Sequence, residues 1–389
     1  MSAEAIAQAP GIEEAEYRAR VERIRERMRE HGLDALLLYA DSTRQSNVRY
    51  VVEFRPIDGY SDISMAVVLI PAHGEPTLFV SFMNLLWGQE VAWFPARTLE
   101  ELPAELHRLR TDLESGTVGV AGMPLMPVGV HEAIRGAFAL SKVETIAAEH
   151  VMAPIKARKS RGEIRLLRTA GSLIAVALDA IKEAVHEPGK TEMDVARAAT
   201  VAIIEAGGDG PAMDIQIQAG LHSSYNNIRS TDRPISPGDS ILIEMGTRYK
   251  GYVTDIARGA TVGEVDPRQV EIIEVAASAL EAGCRAVRPG ITAGALNDVI
   301  EQALTEAGYR EFSAEARGYG TGHGIGTDIE EEEPWIRPGS TFVLEQDMAI
   351  ALKASIFVPG LAGVRVEDNI LVSDSGADVY TPYARVLHW

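Results

Sequence analysis

The segment DSILIEMGTRYKGYVTDIARGATVG, residues 239 to 263, sets acids into a strand pattern otherwise fit for burial. That conflict restricts the folds open to the chain more than any other feature. Strand alternation puts Leu242 and Glu244 on one face and Ile241, Ile243 and Met245 on the other. A turn near RYKG, centred between Tyr249 and Lys250, would bring Glu244 directly opposite Asp255. Like charges paired in this way are destabilising unless something positive lies between them. The conflict recurs in STFVLEQDMAIAL and GVRVEDNILVSDSG, two strand-like runs that carry Glu345 and Glu367. Buried carboxylates are costly unless paired or coordinated. Either these hairpins lie on the surface with their acids solvated, or they converge on something positive.

The rest of the chain supplies the frame. VERIRERMREHGLDALLLYA reads as a helix, a Gly32 stop and a strand from Ala35 to Tyr39. The strand-like runs ISMAVVLI, TLFVSF and TVGVAG alternate with helical stretches up to about residue 150, which predicts an α/β domain over 1–152. The basic, proline-containing segment APIKARKSRGEIRLL marks the boundary. Beyond it, four helical patterns interleaved with hairpins predict an α+β domain over 153–389, with antiparallel pairing. With 389 residues and 46% hydrophobic content, two cores are expected and disorder is excluded.

Net charge of −19 disfavours nucleic acid as a partner and favours a neutral or basic small substrate. The single cysteine, Cys284, excludes an intrachain disulfide and a multi-thiolate zinc site, in keeping with a reducing cytoplasm. No apolar run is long enough for a membrane span, and a soluble cytoplasmic protein is expected.

A histidine completes the set. In GHGIGTDIEEEEPW, residues 322 to 335, His323 stands between glycines and is followed by four consecutive glutamates. One imidazole and several carboxylates suit one or two divalent ions such as manganese, cobalt, iron or zinc. The matching reaction class is metal-assisted hydrolysis. GYGTGHGIG lacks the lysine and the strand-to-helix context of a phosphate loop. Arg365 beside Glu367 is a candidate neutraliser of the acids. Tyr249 and Tyr252 are expected to pack within the hairpin, and Trp87 and Trp335 to be wall or core.

The order and spacing of IEMGTRYKGYVTDIARGATVG, GHGIG, FVLEQ and GVRVEDNILV resemble the metal signature of the M24, or "pita-bread", family. This family includes methionine aminopeptidases, aminopeptidase P, prolidase and creatinase. GLDALLLY, GEPTLFV and IKARKSRGEI extend the likeness over nearly the whole chain, in the longer two-domain form. The resemblance implies a creatinase-type N-terminal domain and a pita-bread catalytic domain. It implies Asp255, His323, Glu345 and Glu367 as metal ligands, and Glu244 as a fifth ligand of changed geometry, since it stands where the peptidases have aspartate. It also implies two losses. Asn227 and Glu330 stand where prolyl peptidases carry histidines that assist substrate binding and proton transfer. His222, five residues before Asn227, is expected to serve local hydrogen bonding, and Glu331 to Glu333 to form a solvated acidic loop.

The expected function is therefore hydrolysis of a C–N bond in a small molecule or short peptide, with an ordinary prolyl peptide disfavoured. Glu330, Asn227 and Glu244 are the candidate catalytic residues. The alternative is a metal-free, creatinase-like or ectoine-hydrolase-like amidohydrolase in which Glu244 acts directly as nucleophile or base. A non-catalytic binding module ranks last. The family's longer members also imply a homodimer, with the loop FRPIDGYSD, residues 54 to 62, reaching a neighbouring site.

Overall fold

Residues 10–57, 59–60, 63–313 and 318–389 are described by a computed structural model. The chain divides into two compact units, one spanning Ile12–Lys156 and the other built on Ala157–Trp389. The expected boundary after residue 152 falls inside the helix Glu149–Ala157, which accommodates Pro154.

In the first unit a six-stranded sheet runs in the order Ala96–Thr98, Thr77–Val80, Met65–Pro71, Ala35–Asp41, Ser115–Ala121, Lys142–Ala147. The run Ala35 to Ala40 is apolar throughout because both faces of this central strand are covered. Leu36, Leu38 and Ala40 pack in one cluster with Val21, Ile24 and Met28 of the helix Glu14–Glu30. Ala35, Leu37 and Tyr39 pack in another with Leu106, Ile134 and Phe138.

The second unit opens on the helix Arg161–Val185. Its first turn is closed by a capping box in which Ser160 and Glu163 each accept from the other's backbone N–H. Its main sheet has the order Glu331–Ile336, Gly322–Gly324, Ala349–Val358, Ala362–Ser373, Ile256–Thr261, Ser240–Met245, Gln216–Ala219. All of these neighbours pair antiparallel.

The two faces of this sheet differ in chemistry. Leu352, Ala354, Val364 and Val366 belong to a core that includes Ile272 and Leu280 of the helix Pro267–Ala286 and Ile300 of Ala293–Glu306. Period two therefore sends Lys353, Arg365 and Glu367 to the opposite face. Two of the acids that contradicted the apolar pattern, Glu244 and Glu367, are side chains of that second face.

Candidate metal centre

The hairpin that opened the sequence argument turns one residue later than expected. Lys250 and Gly251 have φ of 44° and 76°, the two positive values of a tight hairpin turn. Glu244 consequently faces Ala257 and not Asp255. The shift in pairing is two residues, so the faces are preserved. Reading across the strands, Gln216 pairs with Glu244, Glu244 with Ala257, Ala257 with Glu367, and Glu367 with Lys353.

Asp255 is fixed by a side chain that mimics a strand. The Asn369 amide donates to the Asp255 carbonyl at 2.6 Å, and its Oδ1 accepts from the Asp255 N–H at 2.8 Å. His323 lies on the short strand Gly322–Gly324, where a side chain at Gly322 would collide with the Ala351 carbonyl and one at Gly324 with the Glu333 carbonyl. The glycines flanking His323 thus let its strand sit between two neighbours.

Asp255, His323 and Glu367 offer ligand atoms that all lie within 4.8 Å of one another, and all three residues are buried. The His323 Nε2 lies 3.6 Å from Asp255 Oδ2 and 3.6 Å from Glu367 Oε1. Asp255 Oδ1, His323 Nε2 and both Glu367 oxygens have no hydrogen-bond partner among the described residues. Buried polar atoms are nearly always satisfied, so this grouping marks a site built for a ligand. The tautomer points the same way. His323 Nδ1 lies 3.1 Å from the Gly324 carbonyl, to which it donates, leaving the Nε2 lone pair turned toward two carboxylates. Burial, followed by the nearby Lys353 charge, holds the imidazole well below its usual pKa and so neutral. Burial and then Glu244 push Asp255 up to about 7; burial and then Asp255 hold Glu367 well above the carboxylate range. Acids that resist ionisation around a neutral imidazole are what a shared cation would relieve. The oxygen-rich donor set fits a divalent cation.

The other candidates lie as follows. Glu244 is buried on the same face, but both its oxygens accept from Arg365 Nη1, at 2.5 and 2.6 Å. Arg365 does neutralise an acid, and that acid is Glu244. Asn227 Oδ1 accepts from the same Arg365 nitrogen at 3.2 Å, and Asn226 Oδ1 accepts from Nη2 at 2.9 Å. Glu330 is half-buried and accepts from the Tyr319 hydroxyl, and its charge contributes to raising Asp255.

Glu345 is not part of the cluster. FVLEQ is no strand interior: Glu345 precedes a turn at Gln346 and Asp347, its side chain is 61% exposed, and it pairs with Arg158 at 4.0 Å. The apolar residues around it belong partly to the next strand, which begins only at Ala349. The expectation of a solvated Glu331 to Glu333 is corrected at its first residue. Glu331 is buried and pairs with buried Lys159 at 2.7 Å, at the start of the strand Glu331–Ile336.

His222 contacts buried Glu192 at 3.0 Å, a local hydrogen bond. Tyr249 and Tyr252 are buried in their hairpin. The Trp335 ring centroid lies 6.0 Å from that of His323, making it a wall, whereas Trp87 is exposed on the first unit.

Sequence reasoning missed two residues. Asn369 positions Asp255, and Lys353 lies inside the cluster with its Nζ 3.7 Å from Glu367 Oε1. Burial disfavours the Lys353 ammonium, but Glu367, Asp255 and Glu244 outweigh that effect and the repulsion of Arg365, so its pKa stands above the ordinary lysine value. A lone lysine within AIALKASIFV was the available signal, since a charge inside an apolar strand is as anomalous as the acids were.

Comparison with known proteins identifies the family. The family model for the creatinase/prolidase N-terminal domain matches residues 20–155. A curated Xaa-Pro dipeptidase of Pyrococcus horikoshii is 27% identical over 368 residues, covering 95% of this chain and 98% of the relative. An uncharacterized peptidase of Bacillus subtilis is 25% identical and covers 92% and 96%. Among solved structures, the prolidase from Pyrococcus horikoshii superposes with a TM-score of 0.81 at 27% identity, covering 94% of this chain and 99% of that one. The Xaa-Pro dipeptidase from Bacillus anthracis gives a TM-score of 0.82 at 25% identity, covering 96% and 100%. The model for metallopeptidase family M24 matches residues 165–374, the part of the chain that carries every residue of the cluster, and the protein is a hydrolase of that family.

Proposed function

We propose that the protein hydrolyses a C–N bond of a small neutral or cationic amide, lactam or amidine, or of a short peptide other than an ordinary prolyl one, using one divalent ion held by Asp255, His323 and Glu367. One observation carries the reading: each of these buried residues offers a ligand atom within 4.8 Å of the others, and four of their polar atoms have no hydrogen-bond partner among the described residues. Manganese, cobalt, iron and zinc all suit the donors. When bound, such an ion would polarise the scissile carbonyl and make water more acidic.

The chain's own groups do the rest. Asn369 holds Asp255 in place, and the Gly324 carbonyl keeps the His323 lone pair inward. Glu330, hydrogen-bonded to Tyr319, is placed to hold a cationic substrate group or to receive a proton. Asn227, whose Oδ1 is turned to Arg365, keeps its amide N–H groups for the substrate. Neither residue reproduces an imidazole: asparagine does not titrate, and a glutamate carboxylate carries the opposite charge to an imidazolium. Losing a positioned acid–base group typically removes about 10² to 10⁴ in rate, which supports poor turnover of Xaa-Pro peptides. For the metal-free alternative, direct attack by Glu244 is disfavoured because both its oxygens are taken by Arg365.

The test compares metal-loaded and chelated enzyme on Xaa-Pro dipeptides and on a panel of small cyclic and acyclic amides. Efficient prolyl cleavage would reject the substrate assignment, and full activity after chelation would reject the ion.

A homodimer belongs to the same proposal. Phe82, Met83, Leu86 and Trp87 form an exposed apolar group on the first unit, of the kind that marks association surfaces. In the loop 54–62, Ile57 and Tyr60 are exposed, whereas Asp58, Ser61 and Asp62 lie outside the described residues. Light scattering that reports a monomer at working concentration would overturn the dimer. Among the described residues, no helix is long and apolar enough to cross a membrane.

A further inference from the structure

We infer that Lys353 supplies, from the chain itself, a positive charge that shuts one divalent ion out of the acid cluster, so that the centre takes at most a single ion and never a pair. The inference deepens the proposed function, but it concerns the ion that is excluded and not the one that binds.

Strand register places the lysine. Lys353 pairs directly with Glu367, and Glu367 with Ala257, next to Glu244 on the far side. Because side chains alternate, Lys353, Glu367, Arg365 and Glu244 share the face that carries the cluster. The lysine side chain is 5% exposed, Glu367 is fully buried, and Nζ stands 3.7 Å from Glu367 Oε1. Its closest aromatic face is that of Tyr319, 5.3 Å away, whose hydroxyl donates to Glu330. The ammonium is therefore enclosed beside the carboxylate that a first ion would share.

Charge balance then decides the capacity of the site. Glu244, Asp255 and Glu367 bring three carboxylates to this face, and Lys353 and Arg365 bring two fixed cations. With all three carboxylates ionised around a bound ion, one uncompensated negative charge remains among these five groups, less than a single divalent ion supplies. A pair of ions would leave a large positive excess in a buried volume, where charges interact most strongly. Donor supply agrees with this. Glu244 has both oxygens committed to Arg365, and Glu345 is exposed and outside the cluster. Among the described residues, no further carboxylate is grouped with Asp255, His323 and Glu367 to build a second coordination shell.

The experiment measures Mn²⁺ bound per chain, by titration calorimetry and by elemental analysis after gel filtration, for the wild-type protein, Lys353→Glu and Lys353→Met. Replacing the ammonium by a carboxylate opposite Glu367 is expected to raise the number bound by one. Removing the charge in Lys353→Met is expected to leave the number unchanged and to tighten binding at least about tenfold, from lost ion–ammonium repulsion. No gain in Lys353→Glu, or two ions already present in the wild type, overturns the inference. If Lys353→Glu does not fold, the Lys353→Met affinity decides, and an unchanged value overturns it. A wild type with no ion and a Lys353→Glu protein with one would uphold the lysine's role while rejecting the metal-dependent hydrolase. One ion in both would do the reverse.

Discussion

Arg365→Met tests whether the acid-lined face is held together by the chain's own cations. The wild-type pair is enclosed, with the Arg365 and Glu244 side chains 3% and 8% exposed. Methionine preserves the stem but leaves a carboxylate buried without its partner, and it also frees the Asn226 and Asn227 oxygens that accept from the guanidinium. Breaking one side of a buried pair costs about 3 to 5 kcal/mol. For a domain of this size each kcal/mol lowers the melting temperature by about 2 to 4 °C, so a fall of about 6 to 20 °C is expected. The double variant Arg365→Met/Glu244→Gln should recover most of the loss, because the uncompensated charge, and not the missing contact, is the main cost. Far-UV circular dichroism melts in the presence of chelator measure both. Added Mn²⁺ should stabilise the single variant more than it does the wild type, since the freed Glu244 can take part in binding. A single variant that melts with the wild type, or a double variant no better than the single, would refute the argument that this pair carries the face.

Further outcomes follow from the same geometry. Asn369→Leu removes both hydrogen bonds that hold residue 255 and should weaken Mn²⁺ binding by about 10 to 100-fold, read by calorimetry. In chelated protein the raised Asp255 and Glu367 pKa values contribute stability that is fully present below the unfolded carboxylate range near about pH 4. That stability is lost as pH rises through the Asp255 value of about 7. Denaturant titrations from pH 4 to 8 should show this decline, and Asp255→Asn should flatten it. The Cys284 thiol, pushed up to about 12 by burial, should resist a disulfide reagent at pH 8 in the native protein and react once per chain when unfolded. Glu330→Gln should lower kcat on the preferred amide with little change in Mn²⁺ affinity, because Glu330 bonds Tyr319 and lies outside the ligand group. An unchanged kcat would remove it from the proposed chemistry.

The sequence by itself determined the two-part organisation and the antiparallel second half, which rest on local periodicity. It also flagged acids in strand-like apolar runs and a histidine between glycines as anomalies, but the grouping of Asp255, His323 and Glu367 was implied only by the family resemblance, and their proximity is a property of the fold. The register required the tertiary structure. A turn at Lys250–Gly251, one residue past the expected centre, moved the partner of Glu244 from Asp255 to Ala257. The same limit misplaced Glu345, since FVLEQ carries the apolar pattern of a strand but ends in a turn that leaves the acid in solvent. Lys353 shows the limit from the other side: its own strand is visible in AIALKASIFV, but only pairing with Ala362–Ser373 sets it opposite Glu367. Which charges meet depends on contacts between residues a hundred or more positions apart, as Glu244 and Arg365 are. Periodicity along one strand carries no information about such contacts, and the closed sheet alone fixes them.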